Sequence, residues 1–324
     1  MPGLTYTSSP DLELVKTALD NLRDGTMTTQ DSNGKALATD PMVFSQSSAD
    51  KAAVVTSVIG GGGYFGKTIT GTAQDVTAKK IANKNSPAPI TTIIAEFNQD
   101  IPISRNFMAD QQHEAVAKTI RQASLAWMAT RDQNAFSFYA FGFGTTLSTT
   151  IDDVALFSNS HINANGDTVD NLETGALTDA TLNTSIVSLR AQKNQGGVIV
   201  GFEPKFLLCG STLHHDAVIT AKSVLKAGTG NNDLNYFSEL YPGMKVVWNQ
   251  FIDNSGATNQ TTMYFVGSND NGMVRFEREA MNSNLTPWQQ SAAGGNGDFY
   301  RYLMRAREEV DTIEYLGLVG SSGA

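Results

Sequence analysis

The sequence predicts an α+β fold, and three observations support this class. The stretch from Gln111 to about Phe138 contains no glycine and no proline, and it has the apolar spacing of one long helix. The segments on both sides of it are rich in β-branched residues, which favour strands. A compact middle region, from about residue 177 to residue 280, combines helical patterns with short apolar strands. Together these stretches give the chain an α+β pattern.

The long helix, expected at about residues 110–138, has one apolar face. Steps of four, three and four residues bring four positions to one side of a helix: Val116, Ile120, Ala123 and Trp127. Three more residues widen that face: Leu125, Met128 and Phe136. Asp110 stands where an N-cap is expected, and Glu114 adds negative charge to the first turn, where the helix dipole favours it. Roughly 28 residues form a rod of about 42 Å, which predicts a spine for other layers.

The composition excludes several classes of protein. A chain of 324 residues can hold two or three subdomains, and its formal charge of −9 argues against a protein that coats nucleic acid. A single cysteine, Cys209, excludes an internal disulfide and fits assembly in a reducing cytosol. We expect neither a signal peptide nor a membrane span, because no segment has the required apolar run. Only 17% of the residues are charged, which favours extensive protein–protein contact.

The residues before the long helix predict an arm and a hairpin. Asp11 to Leu22 has the spacing of a short helix, and the polar segment after it predicts an extended arm with little core of its own. Ala52 to Ile59 predicts a strand or a short helix. Thr68 to Thr72 and Ile90 to Phe97 predict two long strands joined at a basic tip, residues 79–87. Such a hairpin has too little core to stand alone, so it needs a neighbour to lie on.

The residues after the long helix predict a mixed region and a final strand. Leu177 to Gln192 predicts an amphipathic helix capped by Thr178, and His214 to Ala227 predicts a second helix ended by Gly228. The apolar stripe of the first of these helices is expected at Leu182, Ile186, Val187 and Leu189. Four strands are expected at Phe206–Cys209, Lys245–Trp248, Met263–Gly267 and Met273–Glu277. The last strand is expected to run unbroken from Phe299 to Val319, because apolar side chains broadly alternate there.

A glycine-rich run satisfies the pattern of a phosphate-binding loop. Residues Gly61 to Thr68 fit G-x-x-x-x-G-K-[ST], and an apolar run precedes them as a strand would. The binding mechanism needs a helix that begins at Gly66 or Lys67, so that its amides face the phosphates. The residues that follow are β-branched and include a glycine, which disfavours a helix. We therefore favour a hinge at the base of the hairpin, and a P-loop nucleotide-binding protein is the alternative from a different class.

No metal or cofactor site is predicted. His113 and Glu114 begin a zinc-protease motif, but Ala117 stands where the second histidine is needed. The cluster at residues 214–216, two histidines and an aspartate, consists of adjacent helix positions that point about 100° apart. Because no further ligand completes a site there, we expect no bound metal.

No catalytic residue is predicted either. Cys209 lies in an apolar strand, which predicts an inert buried thiol. Ser158 and Ser160 beside His161 are expected to stabilise a turn by hydrogen bonds and not to form a catalytic pair. The acidic pairs Asp152–Asp153 and Glu308–Glu309 are expected to be solvated or paired carboxylates.

The order of several phrases resembles the major capsid proteins of tailed phages. IPISRNFMAD (101–110) leads into the long helix, and DDVALFSNSH (152–161) follows it. FEPKFLLCGSTLHHDAVITAKS (202–223) resembles the strand–turn–helix of that family, and PGMKVVWNQFI (242–252) resembles its next strand. The closing DFYRYLMRAREEVDTIEYLG (298–317) is similar to the terminal strand of the family. The resemblance covers most of the chain and depends on the order of these phrases.

This resemblance implies the Hong Kong 97 capsid fold. Its parts would be an N-terminal arm (1–54), an E-loop hairpin (55–104), a P-domain with the spine helix (105–170), an A-domain (171–285) and a return to the P-domain (286–324). It also implies a structural protein, not an enzyme, whose hexamers and pentamers tile an icosahedral phage head around double-stranded DNA. An encapsulin-type nanocompartment shell is the alternative within the same fold.

The resemblance further implies partners and a location. Beyond copies of the chain itself, portal, scaffold and decoration proteins are the expected partners, and the DNA is enclosed without sequence-specific binding. Because only residues 1–54 precede the E-loop, we expect no cleaved scaffolding segment and a separate scaffold protein. The shell would be assembled in the host cytoplasm and become the virion capsid, with no membrane contact and no cofactor.

Basic residues on two elements are candidates for contacts between subunits. Those on the hairpin are Lys67, Lys79, Lys80 and Lys84. Those on the polar side of the long helix are Lys118, Arg121 and Arg131. A hairpin and a helix that both need a neighbour would meet through these side chains.

Overall fold

The fold combines one long helix with two main sheets. A computed structural model of the chain describes residues 9–26, 35–48, 53–56, 90–104, 113–145, 150, 152–225, 234–289 and 298–324. Its helices are α1 (Ser9–Thr26), α2 (His113–Ala140), α3 (Asp179–Ala191), α4 (His214–Lys222), α5 (Tyr236–Leu240) and α6 (Gln250–Asp253). Its strands are β1 (Ser45–Ser48), β2 (Ala53–Thr56), β3 (Ile90–Ile93), β4 (Ala95–Ser104), β5 (His161–Ile162), β6 (Thr168–Val169), β7 (Leu172–Glu173), β8 (Phe206–Cys209), β9 (Lys245–Trp248), β10 (Tyr264–Gly267), β11 (Met273–Gln289), β12 (Asp298–Thr312) and β13 (Leu318–Ser321).

The long helix α2 confirms the prediction of a spine. It contains 28 residues, and the four positions chosen by spacing are all buried. Leu125, which was expected to widen the apolar face, is 56% exposed, so that assignment was wrong. The reason is geometric, because Leu125 lies about 200° around the helix from Ala123. The expected N-cap, Asp110, lies outside the described residues.

The long sheet has the strand order β1-β11-β12-β4. Strands β11 and β12 are antiparallel and pair from Met273–Thr312 to Gln289–Asp298, with irregular register between Glu277 and Asn282. Alternate side chains of β12 point to opposite faces, and those on the face covered by helices are buried: Tyr302, Met304 and Ala306. Helices α1 and α2 cover this face through a shared apolar cluster that includes Leu19 and Ile120.

The short sheet has the order β7-β13-β10-β8-β9. Strands β8, β10 and β13 are buried at every residue, which is the pattern of a sheet covered on both faces. Helices α3 and α4 contribute Leu182, Ile186 and Ala217 to one face. The end of α2 contributes Phe136 and Tyr139 to the other. The spine therefore lies against both main sheets, with its first half on the long sheet and its last turns on the short sheet.

Residues 35–48, here named the docked arm, correct the prediction of an arm with little core. Ala36, Ala38, Val43 and Phe44 are each completely buried and belong to the same apolar cluster as Phe136. The polar, turn-rich composition from Asp24 to Lys35, and again at Thr39 and Asp40, suggested an exposed segment. The burial comes from packing against elements far along the chain.

Several smaller expectations are confirmed. Helix α1 forms where Asp11 to Leu22 predicted it, and α3 begins with Thr178 as the cap of a reciprocal capping box. Leu182, Ile186 and Leu189 are buried as expected. A strand, β2, forms within Ala52 to Ile59, where a strand or short helix was expected; its antiparallel pairing with β3, Ala53 opposite Ile93, was not predicted. The remainder of the predicted hairpin, including Gly61–Thr68, Thr68–Thr72 and the basic tip, lies outside the described residues.

Three element limits differ from the prediction. The strand expected at Met273–Glu277 continues to Gln289 as β11. Helix α4 ends at Lys222 and not at Ala227, because Ser223 is extended and Leu225 pairs with Leu234 in an isolated bridge. The final strand is broken between β12 and β13, where Gly317 has φ +77°, a conformation that glycine adopts without strain.

One side chain of α3 also differs from expectation. Val187 was assigned to the apolar stripe of this helix, but it is 56% exposed. It follows Ile186 directly, and neighbouring helix positions point about 100° apart. The stripe that packs on the short sheet is therefore narrower than the sequence suggested.

Candidate assembly surface

The buried side of α2 holds the helix on the long sheet. Trp127 is 8% exposed, and its ring contacts Phe97 of β4 edge-on, with 5.2 Å between ring centroids. The guanidinium of Arg131 lies 6.0 Å from the Trp127 ring, within the range of a cation–π contact. This packing fixes the orientation of α2. It therefore also fixes the directions in which the polar side chains of α2 point.

An ionic cluster joins α2 to strands β11 and β12. Nε of Arg131 lies 2.8 Å from Glu308, and Nε of Arg275 lies 3.2 Å from the other oxygen of the same carboxylate. Glu277 completes the cluster beside Arg275. Burial, and then the nearby charge of Arg131, lower the pKa of Arg275. Arg131 was a candidate for contact between subunits, and its side chain is engaged within the subunit.

A second attachment holds the docked arm on α2. Oδ1 of Asp132 accepts a hydrogen bond of 2.9 Å from the backbone amide of Ala38, and the Tyr139 hydroxyl donates one of 3.0 Å to the carbonyl of Val43. The amide side chain of Asn249 donates a 2.7 Å bond to the carbonyl of Ala36. Burial raises the pKa of Asp132, and the Ala38 amide opposes that change only in part.

The other two candidates on α2 are exposed. Lys118 and Arg121 lie on the solvent side of the helix, and neither forms an ion pair with another described residue. The four hairpin candidates, Lys67, Lys79, Lys80 and Lys84, lie outside the described residues. Of the seven basic residues proposed for contacts, the described part of the chain thus leaves Lys118 and Arg121 exposed.

The face of the long sheet opposite α1 and α2 carries an arginine ladder that the sequence analysis missed. On β12, the residues that alternate with the buried positions are Arg301, Leu303, Arg305 and Arg307, and Arg301 is 46% exposed. The three arginines form ion pairs across the strands with Asp100 and Glu96 of β4 and Glu279 of β11. The signal was present as arginines at 301, 305 and 307, all at positions of the same strand parity. The charges of the ladder are paired across the strands, and further along the same face Ile94 packs on the buried Phe276.

A cavity of about 200 Å³ opens beside Trp127. The docked arm, α2 and the irregular part of β11 form its walls, and Leu37, Met128 and Met281 give it an apolar lining. Arg131, Glu277 and Glu308 form its polar part. With Asp132, the lining thus contains one arginine and three acidic residues.

The groups examined for catalysis have structural partners. Both ring nitrogens of His161 are engaged, Nδ1 with Asp152 at 2.8 Å and Nε2 with the carbonyl of Leu156 at 3.1 Å. A general base needs a free nitrogen within reach of a nucleophile, and His161 is completely buried. Ser158 and Ser160 bond to each other, as a turn requires. The expected paired carboxylates are confirmed for Asp152 and Glu308.

Burial and hydrogen bonds shift the pKa values of Asp152 and Cys209. Burial raises the pKa of Asp152, but hydrogen bonds from His161 and Thr150 outweigh it and leave that pKa lowered. Burial raises the pKa of the Cys209 thiol to about 12. A thiol with so high a pKa is a poor nucleophile at neutral pH, in agreement with the predicted inert cysteine.

The described residues offer no group of three or more His, Cys, Asp or Glu side chains arranged to hold a metal ion. Partial burial, and then the neighbouring His215, lower the pKa of His214. Among the described helices, none is both long and apolar enough to span a bilayer. The exposed positions of α2 and the arginine ladder are polar surfaces of the described residues.

Comparisons with known proteins agree with a chain whose exposed surfaces serve in assembly. A family model described as phage capsid protein matches residues 90–319. The search of curated proteins finds no match. Among solved structures, one from Microbacterium phage Oxtober96 is similar with a TM-score of 0.50 at 13% identity, over 91% of this chain and 93% of that one.

Two further solved structures are similar over most of the chain. The procapsid of bacteriophage JBD30 gives a TM-score of 0.48 at 11% identity, over 97% of this chain and 75% of that one. A virus-like particle from Pyrococcus furiosus gives 0.48 at 9% identity, over 95% and 98%.

The family match spans more than half of the chain, from β3 to β13. It confirms the α+β fold of Hong Kong 97 type, and with it the role of a structural major capsid protein that self-assembles into the capsid of a phage virion. The encapsulin-type shell is not favoured. The chain belongs to the phage capsid protein family.

Proposed function

We propose that copies of this chain form the hexamers and pentamers of an icosahedral phage head that encloses double-stranded DNA. The observation that carries the proposal is the family match over residues 90–319. The net charge of −9 supports it, because an acidic wall does not hold packed DNA by its phosphates. The DNA would therefore be enclosed without sequence-specific binding.

The proposal assigns parts of the chain to roles in the shell. Residues 1–54 form the N-terminal arm, 55–104 the E-loop, 105–170 the P-domain, 171–285 the A-domain and 286–324 the return to the P-domain. The E-loop of one subunit lies on a neighbouring subunit.

Basic side chains support contact between subunits in this arrangement. The candidates are Lys67, Lys79, Lys80 and Lys84 on the hairpin, with Lys118, Arg121 and Arg131 on α2. Lys118 and Arg121 are the exposed members on α2, whereas the ion pair of Arg131 with Glu308 makes it the weakest candidate.

The role is structural, not enzymatic, and it involves further proteins. Portal, scaffold and decoration proteins are the proposed partners, and assembly takes place in the host cytoplasm. The engagement of both nitrogens of His161 and the high pKa of Cys209 support a chain without catalytic chemistry.

Electron microscopy of the purified chain tests the proposal. Uniform closed particles of tens of nanometres are expected, and a stable monomer at high concentration would contradict a shell. Deletion of residues 79–87 tests the role of the hairpin tip. The deleted chain should stay soluble and fail to assemble, whereas normal shells would remove the tip from the assembly surface.

A further inference from the structure

The cavity beside Trp127 is large enough to hold a small molecule. Its volume is about 200 Å³. Engineered cavities of about 150 Å³ hold benzene, so a molecule of roughly six to eight heavy atoms fits here. The lining comes from the docked arm, α2 and β11, with Glu308 contributed by β12. A ligand bound there would contact elements that lie far apart in the sequence.

One part of the lining suits an alkyl chain. Trp127, Met128 and Met281 form this part. Methionine side chains are unbranched and polarisable, so they adapt to ligands of irregular shape. The face of an indole ring also attracts cations, and the guanidinium of Arg131 already lies 6.0 Å from the centroid of Trp127. This part of the cavity therefore suits a molecule that is both apolar and positively charged.

The other part of the lining has an excess of negative charge. It contains Arg131 and three acidic residues, Asp132, Glu277 and Glu308. Arg131 and the neighbouring Arg275 each form ion pairs with both glutamates. The two arginines therefore neutralise the two glutamates, and Asp132 remains as the carboxylate outside this balance.

Asp132 is buried, and its own ion pair is long. Nζ of Lys35 lies 4.0 Å from Oδ2, whereas a charge-assisted hydrogen bond between nitrogen and oxygen spans about 2.7–2.9 Å. The Ala38 amide donates to Oδ1 at 2.9 Å, and the Asn249 side chain donates to Oδ2 at 3.5 Å. These contacts do not offset desolvation, and burial leaves the pKa of Asp132 raised. A cation closer than Lys35 would stabilise the ionised carboxylate.

We propose that this cavity binds a small primary alkylamine, with its ammonium group at Asp132 and its alkyl chain between Trp127 and Met281. An anion would meet the acidic part of the lining, and a neutral molecule would leave the charge of Asp132 as it is. The occupant is a diffusible molecule, because all the walls belong to one subunit and the volume matches a small ligand. This inference goes beyond the proposed function and does not depend on it.

A bound amine would hold the docked arm on the spine. Leu37 and Thr39 of the arm line the cavity together with α2. The amide of Ala38, which lies between them in the sequence, bonds to Asp132. A ligand that binds only this arrangement stabilises it by mass action. The Ala38 amide should therefore exchange its hydrogen more slowly when the amine is present.

Three probes of equal length and different charge test the proposal in the full-length chain. They are n-pentylamine, which is a cation at neutral pH, the neutral 1-pentanol and the anion pentanoate. In calorimetric titrations, pentylamine should bind at least about tenfold more tightly than either of the others, because it alone offers a charged donor to Asp132. Equal affinity for pentylamine and pentanol would overturn the proposal, and so would a failure of pentylamine to bind.

Two variants should change the affinity for pentylamine in opposite directions. Asp132→Asn removes the charge and keeps an oxygen for the Ala38 amide, so pentylamine should lose its advantage over pentanol. Lys35→Met removes the competing ammonium group, so pentylamine should bind more tightly than it binds the unmodified chain. A purely structural role of these residues would change the binding of all three probes alike, and that result would overturn the proposal.

Asp100→Asn is the matched control. Asp100 is 41% exposed and pairs with Arg301 of the arginine ladder, on the other face of the long sheet. This variant loses the same charge as Asp132→Asn and should bind pentylamine as the unmodified chain does. An equal loss of affinity in both variants would show that pentylamine responds only to the net charge of the protein, and would overturn the cavity as its site.

Assembled particles distinguish a diffusible amine from a side chain of another protein. Pentylamine should bind particles and unassembled chains alike, and it should slow hydrogen exchange at the Ala38 amide in both. If particles no longer bind pentylamine, another chain fills the cavity, and the assignment to a small amine is wrong. Unchanged exchange at Ala38 in the presence of bound pentylamine would place the ligand outside the cavity.

Discussion

Nε of Arg131 on α2 lies 2.8 Å from Oε1 of Glu308 on β12, so an ion pair joins the spine to the strand beneath it. The side chains are 18% and 7% exposed, which limits screening by solvent. Arg131→Met should lower the free energy of unfolding by about 1.5–3 kcal/mol, since Glu308 loses one charged partner and keeps Arg275. Urea unfolding of the unassembled chain measures this. The exposed Arg121→Met is the control and should change it by less than about 0.5 kcal/mol; equal effects would show that the pair adds no stability.

Trp127 tests the phase of the spine helix. Trp127→Ala should destabilise the subunit by about 3–5 kcal/mol, because it removes a buried ring that packs on Phe97. Leu125→Ala, two positions away and 56% exposed, should cost less than about 0.5 kcal/mol. Thermal and urea unfolding of both variants give the comparison. A change below roughly 1 kcal/mol for Trp127→Ala would mean that the ring does not belong to the core.

Asp132 should make the subunit more stable at acid pH than at neutral pH. Its pKa is raised by burial above the ordinary value of 3.8, so the folded chain binds this proton more tightly than the unfolded chain. The stabilisation from protonated Asp132 is fully present below pH 3.8, and it is lost as the pH rises through the pKa of the folded chain. Asp132→Asn cannot ionise, and its stability relative to the unmodified chain should therefore rise with pH. Unfolding free energies measured between pH 4 and 7 check the sign; a flat difference would contradict it.

Asp152 should behave in the opposite sense. Hydrogen bonds from His161 and Thr150 leave its pKa lowered, so its stabilisation is present above 3.8 and is lost as the pH falls through the folded pKa. Asp152→Asn should cost about 1–3 kcal/mol at pH 7 and progressively less in acid. The neighbouring Asp153 is exposed, with φ 60°, a conformation that asparagine also adopts. Asp153→Asn is therefore a matched control, and an equal loss in both variants would show that the His161 contact is unimportant.

The long helix and its central apolar face could be predicted because both depend on local spacing. The positions of Arg131 and Asp132 could not, since charged residues normally face solvent. Their partners, Glu308 and Ala38, are 177 and 94 residues away. No local sequence pattern predicts pairs of residues so far apart in the chain.

Three other features could not be predicted from the sequence, for related reasons. The docked arm was missed because its five buried apolar residues follow a long polar, turn-rich segment. The end of α4 at Ser223 was missed because residues up to Ala227 were assigned to one continuous helix. The break at Gly317 was missed because apolar alternation continues on both sides of it. In each case a tertiary contact or a single backbone angle outweighed the local preference.

The docked arm has a consequence for the order of folding. Its partners lie far along the chain, since Ser45 pairs with Val274 and the carbonyl of Ala36 accepts from Asn249. Contacts between such distant residues form slowly. In pulsed hydrogen exchange, the Ala38 amide should become protected after the amides of β8 and β10. The segment made early on the ribosome thus takes its place late, and a chain released before residue 249 would lack the side chain that bonds the Ala36 carbonyl. A docked arm that has reached its place therefore marks a subunit whose chain has folded completely, before that subunit joins a growing shell.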